Sequence, residues 1–143
     1  MKYSIILSLL LAVVLSACQT RGDFLTEGEY LYLESEDAVM PIWVTGNMES
    51  GIFIITNHGG PGNTSGHEFH RHIHVFQELE KKYALVYWDQ RMSGFAKGDP
   101  TRETLNIQQH VDDLDKLVTL VQTRYNPQSL FMYGHSWEGR IDT

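Results

Sequence analysis

Apolar positions along the chain follow two periods. Glu29-Tyr30-Leu31-Tyr32-Leu33-Glu34 alternates and is rich in strand formers. Val39 to Thr45 predicts a second strand, and Gly46-Asn47 after it supplies turn chemistry. Three later runs are continuously apolar: Ile52–Asn57, Ala84–Trp88 and Leu130–Tyr133. Such runs are expected of strands buried on both faces. Between them the period changes to that of a helix. Phe69, Ile73, Phe76 and Leu79 form one stripe, on a helix predicted over roughly His67 to Lys82. Ile107, Val111, Leu114, Val118 and Val121 form another, broadened by Leu117 and Leu120. Asn106 is its expected N-cap with Gln109 as reciprocal partner, and Pro127 closes its exit. Buried strands alternating with amphipathic helices predict an α/β fold, with a largely parallel sheet and crossover helices.

The first residues follow neither pattern. Lys2 precedes an apolar run from Ile5 to Leu15, which is too short for a bilayer span of about 20 residues. It meets the small residues of Leu15-Ser16-Ala17-Cys18, as in a secretory signal peptide. That string resembles the bacterial lipobox, and the resemblance implies a lipid-modified Cys18 that anchors the chain to a membrane surface. Gln19 after the Cys, where Asp would imply retention at the inner membrane, points to the outer membrane of a bacterial cell envelope. The expected organisation is a lipoprotein signal peptide over residues 1–17, a tether over 18–28 and a partial α/β domain over 29–143.

Composition narrows the picture. The chain is 143 residues, 42% apolar and 20% charged, with 18 acids against 11 bases and a net charge of −7. No basic cluster offsets that charge, which argues against a nucleic-acid partner. One Cys excludes a disulfide framework and a Cys-based zinc site. The length is below the roughly 200–250 residues common for α/β enzyme domains.

Each of the three apolar runs is followed by a distinctive string. His58-Gly59-Gly60-Pro61-Gly62 follows the first, Asp89-Gln90-Arg91-Met92-Ser93-Gly94 the second, and Gly134-His135-Ser136-Trp137-Glu138-Gly139 the third. Open parallel sheets gather chemistry at the carboxyl ends of their strands. The trio resembles the α/β-hydrolase fold, and within it the proline iminopeptidase-like serine hydrolases, which carry HGGPG, DQRGxG and GxSWGG. The resemblance covers about residues 29–139, the N-terminal portion of that fold.

It implies Ser136 as nucleophile on a sharp strand-to-helix turn, with the backbone N–H of Trp137 as one oxyanion donor. Gly59 or Gly60, with Gly60 favoured, supplies the second donor, where the absence of a Cβ lets the substrate carbonyl approach. His58 orients that loop, while Asp89 and Arg91 support it, Arg91 as an ion-pair organiser. Met92 stands where the family has Gly. His135 is excluded as general base because its side chain diverges from that of its neighbour Ser136. Ser136 also argues against the Asp-nucleophile dehalogenases and epoxide hydrolases of the same fold. A small-molecule or peptide substrate is implied, and no cofactor.

Triads of this fold run Ser, then Asp or Glu, then His. The seven residues after Ser136 contain no His. The expectation is a chain truncated after the nucleophile elbow and inactive by itself. Glu138 replaces the family's Gly, which is expected to clash at the elbow and to oppose a developing oxyanion. A one-base deletion in a run of G at the Trp-Gly-Gly codons is the expected origin of both features. Truncation would also leave Leu130–Tyr133 as an exposed apolar edge. Two other readings stand beside the hydrolase. His67, His70 and His74 share a helix face and could hold Zn²⁺ or Cu²⁺. Alternatively, the chain is a non-catalytic lipoprotein that binds a partner through its sheet edge.

Overall fold

The structure, a computed structural model, describes residues 28–60, 62–66, 69, 72–134 and 136. Six strands form one sheet in the order β1-β2-β4-β3-β6, with β5 paired to β2. β1 (Gly28–Ser35) and β2 (Ala38–Gly46) form a hairpin, registered from Gly28 opposite Thr45 to Ser35 opposite Ala38. β3 (Ile52–Asn57) and β4 (Ala84–Trp88) lie where the continuous apolar runs predict them, and all five residues of β4 are buried. β5 is only Lys97–Gly98, and β6 is Ser129–Gly134.

The sheet is mixed, which corrects the expectation of a largely parallel one. β2 runs antiparallel to β1, β4 and β5, and parallel pairing is confined to β4-β3-β6. The cause is local. Only Glu36 and Asp37 separate β1 from β2, and a two-residue connection can join only antiparallel neighbours. The longer connections through helices produce the parallel pairs.

Helix α1 (Ile73–Glu80) and helix α2 (Ile107–Tyr125) pack on opposite faces. Leu114, Leu117 and Val121 of α2 meet Phe53, Ile55, Val86 and Trp88. On the other face Phe76 joins Phe69, Leu85 and Tyr87, with Ile73 and Leu79 partly buried beside them. Asn106 caps α2 by accepting from the Gln109 N–H at 2.9 Å. The reciprocal bond is not made: the Gln109 amide donates to Asp113 instead. Asn126, in the left-handed conformation, ends the helix one residue before the expected proline. Ile107 is exposed, because the first turn of α2 lies beyond the apolar cluster.

β6 lies at the end of the strand order, with Phe131, Met132 and Tyr133 exposed by 56%, 47% and 44%. A long apolar edge strand invites pairing with other chains. Phe131→Lys is therefore expected to reduce self-association, read as a lower light-scattering mass at matched concentration. An unchanged mass would show that this edge does not drive association.

Candidate active site

β3 lies between β4 and β6 and runs parallel to both, so the carboxyl ends of the three strands share one edge of the sheet. Asn57 is in register with Gly134. The loop that begins at His58 therefore leaves the sheet beside the turn that carries Ser136. Strand pairing sets the strings after β4 and β6 on either side of the one after β3. Side chains then tie the β4 string to the β3 string.

Ser136 is exposed and has φ of +62°. A residue with a Cβ in the left-handed region carries strain on the order of 1–2 kcal/mol. Such strain clusters at functional sites, though Glu36, Met92 and Asn126 share the positive φ. Gly60, with φ of +69°, is half-buried, and a Cβ there would meet nothing within 4 Å. Its need for glycine is conformational, and the space above it is open to a ligand.

His58 is buried, 1% exposed, and its ring is held from behind. Nε2 accepts from the Gln90 N–H and the Gln90 amide donates to the His58 carbonyl, both at 3.4 Å. At the end of β3, the Trp88 indole N–H donates to Asn57 Oδ1 at 2.8 Å. Asp89 is also buried. Its Oδ1 accepts from the Ser65 N–H and hydroxyl at 2.9 and 3.0 Å, and its Oδ2 accepts from the Phe95 N–H at 2.9 Å. Gly94 permits this arrangement: with φ of +51°, a Cβ there would collide with the Asp89 carboxylate.

Arg91 points elsewhere. Its Nε donates to Asp113 at 2.6 Å, and its terminal nitrogens donate to Asp113, Asp37 and the Ser35 carbonyl. Burial opposes its charge, but Asp113 and then Asp37 more than offset that and raise its pKa. The result is an ion cluster joining the β1–β2 turn, the β4 loop and α2. Asp37 and Asp113 were not anticipated as members. Asp37 is held below the ordinary carboxylate range, first by the Thr104 hydroxyl and then by the Thr101 N–H and Arg91, against burial. Its contribution to stability is present above the ordinary carboxylate range and is lost as pH falls through the lowered value. Asp37→Asn is expected to flatten the acid limb of a plot of urea midpoint against pH. An unchanged acid limb would show that Asp37 is not linked to folding.

Met92 has φ of +59° and is exposed. Met92→Gly removes left-handed strain but adds freedom to the unfolded chain. The balance is expected to favour the variant by about 0.5–1 kcal/mol. Chemical denaturation checks this, and a destabilised variant would show that the strain is absent.

Two hollows flank the site. A narrow one of about 10 Å³ is lined by Asn57, His58, Ser65, Phe69 and Tyr133, among others. A larger one of about 560 Å³ lies over β1 and β2, walled by Tyr30, Tyr32, Trp43, Phe69, Tyr87 and Phe95. Burial and then the neighbouring Glu80 raise the Tyr87 pKa, while its hydroxyl donates to Glu80 at 2.8 Å.

Cys18 and Trp137 lie outside the described residues, as do His135, Glu138 and, of the histidine trio, His67 and His70. Among the described residues, no group of three or more His, Cys, Asp or Glu is placed to hold a metal ion, and no helix is long and apolar enough to cross a membrane.

No protein-family model matches the chain. It is 31% identical over 81 residues to the probable aminopeptidase YbaC of Bacillus subtilis, across 56% of this chain and 24% of that protein. A proline iminopeptidase-related protein from Thermus thermophilus superposes with a TM-score of 0.64 at 20% identity, across 81% of this chain and 39% of that one. An epoxide hydrolase from Vigna radiata superposes with a TM-score of 0.61 at 19% identity, across 81% and 34%. The chain thus spans 24% to 39% of these relatives' lengths. The architecture is that of the N-terminal part of an α/β-hydrolase fold.

Proposed function

We propose that these residues carry the nucleophile and oxyanion cradle of a serine hydrolase that transfers acyl groups to water. The observation that carries this reading is Ser136. It sits in a left-handed conformation two residues past Gly134, the last residue of β6, which is in register with Asn57 just before the glycine loop. In the proposed step Ser136 Oγ attacks a carbonyl carbon, and the carbonyl oxygen takes up negative charge. The backbone N–H groups of Gly60 and Trp137 donate hydrogen bonds to that oxyanion. One such donor is typically worth about 10²–10³ in rate. Collapse of the adduct breaks the bond to the leaving alcohol or amine, which departs with the proton given up by the Ser136 hydroxyl. Water then splits the acyl–Ser136 ester, releasing a carboxylic acid and restoring the hydroxyl.

An aminopeptidase-like or esterase substrate fits this chemistry, and the likeness to a probable aminopeptidase supports the first. An epoxide hydrolase relies on a carboxylate nucleophile, whereas a serine stands at position 136. Anchoring through a lipidated Cys18 in a bacterial cell envelope belongs to the same proposal, carried by Leu15-Ser16-Ala17-Cys18. Incorporation of labelled palmitate that is lost in Cys18→Ala tests the anchor.

The test of the chemistry is covalent labelling of the full chain with a fluorophosphonate, followed by peptide mapping. Slow modification at Ser136, faster as pH rises and absent in Ser136→Ala, is the expected result. Labelling that persists in Ser136→Ala would overturn the assignment.

A further inference from the structure

The glycine loop after β3 has little internal means of keeping one shape. Gly60 and Gly62 adopt φ of +69° and +84°, and a glycine gives up more backbone freedom on ordering than any other residue. What holds the loop comes from the neighbouring strand. The Gly62 N–H donates to Ser93 Oγ at 3.1 Å, and Ser93 is buried, 3% exposed. Three residues further on, Ser65 is tied twice to Asp89, and before the glycines His58 is tied to Gln90. Ser93 is itself fixed, its N–H donating to the Gln90 carbonyl and its carbonyl accepting from the Ala96 N–H, both at 2.9 Å. The β4 loop thus grips the glycine loop before, within and after its glycines. Among these ties, only the one from Ser93 reaches a glycine.

We propose that Ser93 is a positioning residue for acyl transfer at Ser136: its hydroxyl oxygen anchors the Gly62 amide and so holds the Gly60 turn in the conformation that receives the oxyanion. This rests on the acyl-transfer reading of Ser136. Ser93 touches no reacting atom and works only through the loop.

The full chain is compared with Ser93→Ala and Ser93→Thr by two readouts. The first is hydrogen exchange of the Gly62 amide, which depends on the anchor and not on chemistry at Ser136. In Ser93→Ala it is expected to exchange at least tenfold faster, with β4 amides unchanged, and Ser93→Thr is expected to restore protection. The second is the rate of fluorophosphonate modification of Ser136, expected to fall at least tenfold in Ser93→Ala and to recover in Ser93→Thr. Unchanged Gly62 exchange in a folded Ser93→Ala variant overturns the anchor. Faster exchange with an unchanged labelling rate overturns the link to Ser136. If Ser136 of the wild-type chain takes no label, the acyl-transfer reading falls, and the link falls with it. The exchange readout then still decides whether Ser93 holds the loop.

Discussion

Replacing Arg91 with alanine is expected to destabilise the chain by about 3–5 kcal/mol, a large part of the 5–15 kcal/mol that typically separates folded from unfolded domains. The size follows from what is left behind. The Arg91 side chain is fully buried, and Asp113, its bidentate partner, is 1% exposed on its side chain. Removing the guanidinium strands a carboxylate on the inward face of α2, between Gln109 and the apolar cluster of Leu114 and Leu117. It also frees the Ser35 carbonyl and one oxygen of Asp37, which loosens the β1–β2 turn. The solvent-facing pair Lys81–Glu78 should contribute far less, since exposed ion pairs are worth about 0–1 kcal/mol. The mechanism makes a second, opposite expectation. Arg91→Met combined with Asp113→Leu removes both charges and should recover most of the loss, because apolar replacement of a whole buried pair is often neutral. Urea denaturation of the three proteins checks both. A midpoint for Arg91→Ala close to that of the wild type, or a double variant no better than the single, would show that Arg91 and Asp113 are not coupled in the core.

This ion cluster also marks where reading the sequence stops. Ile52–Asn57 and Ala84–Trp88 were legible as strands to the residue, because burial on both faces writes a continuous apolar run. The three strings were legible as loops following strands. Their meeting at one edge was not, since it depends on the register of Asn57 with Gly134 and on strand order. Asp113 could have been found. It lies four and eight residues before Leu117 and Val121, within the stripe that α2 buries. A carboxylate at that spacing needs a cation, and Arg91 was already singled out. Ser93 left no such signal, because the bond from Gly62 spans 31 residues and uses a backbone donor. Phe131 and Tyr133 are exposed, as an apolar run left at a sheet edge is expected to be, although by composition alone they match a buried strand.

Ester turnover by these 143 residues is expected to lie about 10⁶-fold below that of a serine hydrolase with an intact triad, the loss seen when one essential member of such a site is removed. The fate of the Ser136 proton sets this rate. An unassisted hydroxyl is a weak nucleophile, and it needs a base within about 2.6–3.2 Å, or one water away, to take its proton during attack. In the usual chain order that base follows the nucleophile, and residues 137–143 contain no His. His58, though near the glycine loop, is buried with its Nε2 facing the Gln90 N–H. Oxyanion donors and binding alone retain about 10³–10⁴ over water. A polypeptide of these 143 residues should therefore show a small rate that rises with pH, as hydroxide takes the Ser136 proton, without the plateau near neutrality that a titrating His would give. An activated nitrophenyl ester, assayed from about pH 6 to 10 with Ser136→Ala as the reference, measures this. Rapid turnover that vanishes in Ser136→Ala and levels off around pH 7 would mean that a base in this chain already serves Ser136, with His58 and His135 the first positions to replace.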